Sequence, residues 1–203
     1  MNLPLFRPPA EADSLILRID QGCPYNRCSF CGMYQEIPYR RLPLEEVRAL
    51  VAREARRNRT ARRVFLADGD VMRRPFAELA EILGMLKEGF PGLARVNVYA
   101  TGSGIDDKTD EQLQALRGLR LHTLYMGLES GDDETLKRMR KAESAAVMVS
   151  AGRRAQSAGL HMSVMVLLGL GGKERMVAHA RATVAALNGM QPRLLSALRV
   201  IPV

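Results

Sequence analysis

Short apolar segments alternate along this chain with longer segments whose apolar residues recur at helical spacing. Strands are predicted at residues 15–19, 64–67, 95–100, 123–127, 161–168 and 195–201. Helices are predicted between them, at residues 44–57, 76–87, 109–116, 134–139, 145–158 and 174–187. This alternation predicts an α/β domain with a parallel sheet and outer helices, in which ligand sites lie at the carboxyl ends of the strands.

The length of the chain fits one such domain. Its 203 residues, 47% of them apolar, can bury a substantial core but are few for a complete barrel. We expect a lead-in over residues 1–12 and a core domain over residues 13–203. Because the last predicted strand runs almost to Val203, we also expect that a C-terminal extension is lacking.

An excess of basic residues favours anionic partners. The 30 Lys and Arg residues against 22 Asp and Glu give a net charge of +8, which suits phosphates, polycarboxylates or nucleic acid. Many arginines cluster at the end of one predicted helix: Arg53, Arg56, Arg57, Arg59, Arg62 and Arg63. Because no aromatic residues interleave with them, the solvated end of a helix explains this run better than an RNA-binding patch.

The chain shows no sign of a membrane or secretory segment. It has no run of about 18 consecutive apolar residues, and residues 1–12 contain no apolar leader core. We therefore expect a cytoplasmic protein. In that reducing compartment an odd set of three cysteines is better suited to a metal or to catalysis than to disulfides.

All three cysteines lie within nine residues, directly after the first predicted strand. Cys23, Cys28 and Cys31 therefore share one compact loop. Three thiolates on one loop can hold three irons of a cubane cluster and leave the fourth iron open for another ligand. Arg27 and the backbone N–H groups of the loop would help to hold the thiolate charge. The loop thus predicts an iron–sulfur site with an open position.

Structural zinc and a reactive thiol are the alternatives. Zinc needs a fourth ligand, and the histidines are remote from the loop in sequence, at His122, His161 and His179. Only a fold that returned one of them to the loop would complete a zinc site. A nucleophilic cysteine requires no cysteine neighbours, so the spacing favours the cluster.

The loop resembles the cluster motif of the radical S-adenosylmethionine (SAM) superfamily. Aromatic Phe30 directly before Cys31 matches that motif. Four residues separate Cys23 from Cys28, where the superfamily usually has three. This departure affects only the first spacing of the motif.

The resemblance extends over about residues 15–202. Segments 22–34 and 125–141 look like bacterial proteins labelled as relatives of oxygen-independent coproporphyrinogen oxidase. That oxidase usually carries a further cysteine shortly after the motif, and residues 32–34 supply none. The label is therefore a poor guide to the substrate.

The resemblance implies a partial (βα)6 barrel of the radical SAM type. It implies that Cys23, Cys28 and Cys31 bind a [4Fe–4S] cluster whose open iron holds SAM. Such enzymes reductively cleave SAM to methionine and a 5′-deoxyadenosyl radical, which abstracts hydrogen from a substrate. It also implies a reductant such as flavodoxin or ferredoxin. The substrate would be a small or anionic molecule that the sequence does not identify.

Residues after the second predicted strand are candidates for the amino group of SAM. Asp68, Gly69 and Asp70 lie where the superfamily often has a Gly-Gly-Glu segment with this role. Carboxylates accept hydrogen bonds from an ammonium group, and glycine permits a close backbone approach. The alternative role for either aspartate is to cap the following helix.

Other strand ends supply the remaining cofactor candidates. Glu129 resembles the ribose-contacting residue of the superfamily, because a carboxylate can accept both ribose hydroxyls. Ser103 is a further candidate for the same pocket. Gly169 corresponds to a segment beside the adenine, and Phe30 lies within the cluster motif itself. Plain turn or capping roles are the alternatives for Ser103, Glu129 and Gly169.

Two other classes of function are compatible with the sequence. An iron–sulfur electron-transfer or scaffold protein would hold the cluster without cleaving SAM. A zinc-dependent nucleic-acid-binding module would be colourless and would bind RNA with a steep salt dependence.

Overall fold

Six parallel strands form the main sheet of the computed structural model, which describes residues 5–200. In chain order the strands are β1 (Leu15–Arg18), β2 (Asp20–Gln21), β3 (Arg40–Arg41), β4 (Arg63–Ala67), β5 (Arg95–Tyr99), β6 (Leu121–Glu129), β7 (His161–Leu168) and β8 (Leu194–Arg199). The main sheet has the order β1-β4-β5-β6-β7-β8, with every pair parallel. Strands β2 and β3 form a separate antiparallel ladder.

Helices provide the connections between the parallel strands. They are α1 (Leu44–Arg57), α2 (Phe76–Gly89), α3 (Gly102–Asp106), α4 (Asp110–Gly118), α5 (Asp133–Arg138), α6 (Ala145–Ser157) and α7 (Gly172–Met190). Short 3-10 turns occur at Pro9–Glu11 and Val71–Arg73. Within residues 5–200, no helix has the length and apolar character needed to cross a membrane.

The main hydrophobic core lies between the sheet and the helices. Alternate strand residues such as Val64 and Leu66 of β4 point into it, and both are fully buried. Helix α1 contributes Val47 and Val51 to this core, and arginines of the predicted basic run lie on its exposed side. This division between an apolar face and a charged face is what the helical spacing of the sequence predicts.

The opposite face of the sheet carries a smaller cluster. Phe65, Tyr99 and Tyr125 pack there edge to face, with Phe65 5.1 Å from Tyr99 and 5.9 Å from Tyr125 between ring centroids. The turn at Pro9–Glu11 covers part of this face. The buried carboxylate of Glu11 accepts a hydrogen bond from Tyr125 at 2.5 Å.

A buried ion pair fixes the chain where β1 leads into the cysteine loop. The guanidinium of Arg74 is fully buried and donates to the carboxylate of Asp20 at 2.6 Å. It also donates to the carbonyl oxygens of Ile19 at 2.8 Å and Leu42 at 2.9 Å. The Arg74 side chain therefore connects the start of the cysteine loop, at Ile19 and Asp20, to Leu42, which follows the loop.

The last strand and helix leave apolar side chains exposed. Strand β8 is an edge of the sheet as the structure describes it over residues 5–200. Its exposed apolar residues are Leu194, Leu195 and Leu198, and those of α7 are Met176, Val177 and Val184.

The predicted α/β fold with six sheet strands is confirmed, but some local predictions were wrong. Strand β6 extends through Glu129, which the sequence had placed in the following loop, and His122 lies inside this strand rather than before it. Helix α3 and the ladder of β2 with β3 were not predicted. The end of the last predicted strand at Ile201 and the start of the lead-in lie outside the described residues.

Candidate active site

The cysteine loop leaves the carboxyl end of β1 and rests against the segment after α5. The backbone N–H of Ser29 donates to the carbonyl of Met139 at 3.0 Å. The hydroxyl of Tyr25 donates to the carbonyl of Arg140 at 2.7 Å. Within the loop, the amide of Asn26 donates to the carbonyl of Tyr34 at 2.7 Å. The loop is therefore held by contacts that the sequence pattern did not indicate.

The end of β4 approaches the cysteine loop through Gly69. A β-carbon at this position would lie 2.4 Å from the carbonyl oxygen of Gly22 and 2.7 Å from the Cα of Cys23. Asp68, directly before it, accepts from the N–H of Gly22 at 3.2 Å and pairs with the Nε of Arg18 at 3.1 Å. Burial raises the pKa of Asp68, and the Arg18 charge opposes the shift.

A cavity of about 150 Å³ lies beside Cys23. Asp70, Thr101 and Ser103 line it. The sequence analysis had assigned Ser103 to the pocket of Glu129, which does not line this cavity. The carboxylate of Asp70 is almost fully buried and accepts hydrogen bonds from both the backbone N–H and the hydroxyl of Thr101. Burial raises the pKa of Asp70 to about 6. Its side chain makes no capping bond to the 3-10 turn that follows.

Glu143 is a residue of this cavity that the sequence analysis missed. Its carboxylate accepts from the backbone N–H groups of Gly102 at 2.8 Å and Ser103 at 2.7 Å. It also accepts from the hydroxyl of Ser103 at 2.5 Å. Ser103 therefore already has a protein partner, and Arg73 donates to the same hydroxyl at 3.0 Å.

Glu129 lies at the end of β6 with its side chain turned back over the strand. Its backbone adopts a left-handed conformation, with φ of 62°. Its carboxylate passes so close to Gly127 that a β-carbon there would lie 2.0 Å from Oε1. The Nζ of Lys141 lies 3.9 Å from the same oxygen. Burial raises the pKa of Glu129, and Lys141 opposes the shift.

The thiols share one electrostatic environment with this pair. Burial raises the pKa of Cys28 to about 11, and the nearby Lys141 opposes that rise. Burial also raises the pKa of Cys31, and Cys23 and Glu129 add to it. Cys23, Cys28 and Cys31 are all partly buried and free of disulfides. The fold therefore brings the cysteines and Glu129 into one site.

His122 and His161 lie at the opposite edge of the sheet, which disfavours the zinc alternative. The rings of His122 and His161 contact each other near the amino ends of β6 and β7, with centroids 4.2 Å apart. The ring of His179 is within 2.8 Å of the hydroxyl of Ser130. Over residues 5–200, no group of three or more His, Cys, Asp and Glu side chains is arranged to hold a single metal ion.

Two predicted cofactor residues stand apart from the cavity beside Cys23. Gly169 follows β7 with φ of 87°, a conformation that favours glycine. A second cavity of about 370 Å³ begins at Leu170 and extends along the start of α7. Phe30 is half-buried within the cysteine loop. Neither Gly169 nor Phe30 lines either of these two cavities.

Comparison with known protein families decides the classification. Residues 18–182 match the family model of the radical SAM superfamily. The chain belongs to the radical SAM superfamily. The match begins before the cysteine loop and ends within α7, so it covers most of the structure described above. No curated protein is significantly similar to the chain in sequence.

Solved structures of radical SAM proteins share the fold. Methylornithine synthase (PylB) is 20% identical with a TM-score of 0.67, over 93% of this chain and 53% of that one. Coproporphyrinogen III oxidase (HemN) from Escherichia coli is 14% identical with a TM-score of 0.69, over 94% and 44%. The hydrogenase maturase HydG from Carboxydothermus hydrogenoformans is 23% identical with a TM-score of 0.61, over 93% and 44%. The chain thus spans about half the length of these proteins.

Proposed function

We propose that this chain is the SAM-cleaving core of a radical enzyme, with Cys23, Cys28 and Cys31 as ligands of a [4Fe–4S] cluster. The observation that carries the proposal is the cysteine loop on the carboxyl edge of a radical SAM fold. When bound, the cluster and SAM supply reductive cleavage to methionine and a 5′-deoxyadenosyl radical that abstracts hydrogen from a substrate.

The residues present fit this cofactor pair. In a cubane cluster the three protein thiolates bind three different irons, so the thiols need not converge on one point. This agrees with the finding that no group of side chains within residues 5–200 is arranged to hold a single metal ion. Cys23 lies near enough to Cys28 and Cys31 to help raise the pKa of both. With no histidine at the loop, three thiols leave the fourth iron to SAM. Binding of iron would displace the thiol protons.

Acidic groups around the loop suit the polar parts of SAM. Asp68 has one buried carboxylate oxygen, Oδ1, that has no hydrogen-bond partner within residues 5–200. It is therefore an acceptor for the ammonium group of SAM, and Gly69 and Asp70 form the adjoining backbone and cavity wall. Glu129 is an acceptor for the ribose hydroxyls, oriented by Lys141. Ser103 lies on the cavity wall.

Phe30 and Gly169 complete the proposed cofactor set. Phe30 belongs to the cysteine loop and is half-buried directly before Cys31. Its ring would shield the cluster from water. Gly169 lies in the turn directly before the second cavity, where Gly171 and Gly172 leave room for a flat ring. We place the adenine on that side.

The proposed partners follow from the same chemistry. A reductant such as flavodoxin or ferredoxin would deliver the electron, and a small or anionic molecule would be the substrate. We place this activity in the cytoplasm, where thiols stay reduced.

Anaerobic reconstitution tests the proposal. The protein is loaded with iron and sulfide, reduced with dithionite in the presence of SAM, and assayed for 5′-deoxyadenosine. We expect a brown protein that forms 5′-deoxyadenosine, and both properties should be lost in the variant Cys31→Ala. A matched control is Ser29→Ala, which keeps the three thiols. A brown protein without product would indicate an electron-transfer or scaffold role, and a protein that binds zinc but no iron would refute the proposal.

A further inference from the structure

The edge of the sheet opposite the cysteine loop carries a row of basic side chains and histidines. We call this set the basic edge; it comprises Arg57, Arg62, Arg63, Arg95, Arg117, Arg120, His122, His161 and Arg193. These residues lie at or just before the amino ends of β4 to β8, or at the ends of the helices that lead into those strands.

Backbone hydrogen bonds place one end of the row in register. The carbonyl oxygen of Arg62 accepts from the N–H of Arg95 at 3.3 Å, and Arg63 is the strand partner of Arg95. The carbonyl oxygen of Arg120 accepts from the N–H of Val96 at 2.8 Å. Strands β4 and β5 therefore each begin with an arginine, and Arg120 directly precedes β6.

The row continues across β6, β7 and β8. The rings of His122 and His161 are in contact, and the N–H of Arg193 donates to the carbonyl of Met162 at 3.0 Å. Burial lowers the pKa of His122 to about 4, and the positive charges of the nearby arginines add to the shift. The histidines thus lie in the positive electrostatic field of arginines that belong to three different connections between strands.

Within the described residues, most of these arginines form no ion pair with a carboxylate. Arg63 pairs with Asp13 at 3.1 Å, and Arg57 lies 4.0 Å from Glu54. Over the part of the chain that the structure describes, five others form no ion pair within 4.0 Å, namely Arg62, Arg95, Arg117, Arg120 and Arg193. Elsewhere among the described residues, Arg138 and Arg154 are paired with carboxylates, whereas Arg153 and Arg181 form no ion pair within 4.0 Å.

Helix ends explain only part of the row. Arg57 and Arg117 lie in the last turns of α1 and α4, where a cation offsets the partial negative charge of the helix. Arg95 and Arg193 lie at strand starts instead. Arg120 has φ of 78°, a conformation that favours glycine, yet the position carries an arginine. Local structure therefore does not account for these charges.

A groove adjoins the row at β4. Its volume is about 610 Å³, and its lining includes Arg57, Arg62 and Arg63. Strands in a sheet are about 4.8 Å apart, so the five strand starts from β4 to β8 span about 19 Å. At about 3.4 Å of axis per phosphate on one strand of nucleic acid, this length faces about six phosphates.

We infer that the basic edge binds the phosphodiester backbone of RNA, on the side of the domain opposite the candidate active site. Arg117 donates its Nε–H to the carbonyl of Gly159 at 2.9 Å. Arg62, Arg95, Arg120 and Arg193 form no ion pair within the described residues. A row of such charges matches an extended polyanion better than it matches a single small anion. The basic edge as defined contains no Phe, Tyr or Trp to stack on bases, so the binding is independent of sequence and depends on ionic contacts. This binding does not require the cluster.

Fluorescence anisotropy with a labelled oligouridine of about 20 nucleotides tests the inference on the reconstituted full chain. Binding is measured from about 50 mM to about 200 mM salt, because each phosphate contact on a single strand adds about 0.7 to the logarithmic salt slope. The variant carries Arg95→Gln, Arg120→Gln and Arg193→Gln. We expect its slope to fall by about two and its affinity at low salt to fall at least tenfold.

A matched control removes three charges from other surfaces. The variant with Lys137→Gln, Lys173→Gln and Arg181→Gln should retain the slope and affinity of the wild type within about threefold. Iron content and 5′-deoxyadenosine formation should be unchanged in the basic-edge variant, which shows that it is folded. Equal losses of RNA affinity and of salt slope in the two triple variants would overturn the inference, because the losses would then reflect net charge alone. Equal binding of polyglutamate would also overturn it, because an acidic protein would then fit as well as RNA.

Discussion

Gly69 packs directly against Gly22, and this contact joins the end of β4 to the cysteine loop. A β-carbon on Gly69 would lie 2.4 Å from the carbonyl oxygen of Gly22, well inside van der Waals contact. The neighbouring atom belongs to the backbone, so it cannot move aside by a change of rotamer. The position of Cys23 therefore depends on the absence of a side chain at Gly69.

The variant Gly69→Ala tests this dependence. We expect the loop to be displaced, so that iron content after reconstitution falls by at least half and 5′-deoxyadenosine formation falls at least tenfold. The control is Gly84→Ala within helix α2, where a β-carbon would meet nothing within 4 Å. That change should stabilise the fold by roughly 0.5–1 kcal/mol. Normal iron content in Gly69→Ala would show that the loop tolerates the shift.

The variant Gly127→Ala should move the Glu129 carboxylate without unfolding the protein. The added β-carbon would overlap Oε1, which is the far end of a flexible side chain. Losing a hydrogen bond to a charged group costs about 1.5–3 kcal/mol, so we expect the Kd for SAM to rise roughly 10- to 100-fold. Isothermal titration of the reconstituted protein measures it. Glu129→Gln should weaken SAM binding similarly, and unchanged affinity in both variants would exclude a ribose contact.

The variant Arg74→Met should strongly destabilise the fold. It would leave the buried carboxylate of Asp20 without its partner, and such a loss typically costs about 3–5 kcal/mol. Urea unfolding followed by circular dichroism measures the change. Removal of an exposed pair member, as in Arg48→Ala, should cost about 0–1 kcal/mol. In the double variant Arg74→Met with Asp20→Leu, much of the lost stability should return.

The buried carboxyl of Asp70 predicts a specific pH dependence of stability. Its pKa rises from 3.8 to about 6 on folding, so between these values the unfolded chain loses a proton that the folded protein keeps. Stability from this group is therefore present at low pH and is lost as the pH rises to about 6. The variant Asp70→Asn should gain stability relative to wild type over this interval, by up to about 3 kcal/mol. Urea unfolding at several pH values measures the stability of both proteins. A stability difference that does not change with pH would contradict the raised pKa of Asp70.

The sequence predicted the sheet well because its strands are short and continuously apolar. Strand β4 was predicted at residues 64–67 and occurs at Arg63–Ala67, since a buried parallel strand has apolar residues on both faces. Helix α3 was missed for the opposite reason. Its sequence contains Gly102 and Gly104, which are poor helix formers, and its start is held by the carboxylate of Glu143.

The candidate site was predicted only where its residues follow strands. The cysteines, Asp70 and Ser103 come directly after β1, β4 and β5, so the parallel topology brings them to one edge. Lys141 and Glu143 come from the segment between α5 and α6. Their contacts cross long stretches of sequence, and no local pattern marks them as site residues.

The exposed apolar side chains of β8 and α7 bear on how the protein behaves in solution. An edge strand offers unpaired backbone groups to another chain, and exposed leucines on both of its faces favour such pairing. We therefore expect these surfaces to promote self-association and light scattering as the protein is concentrated. The spectroscopic and anisotropy measurements described above are therefore best made in dilute solution, with scattering monitored in every sample.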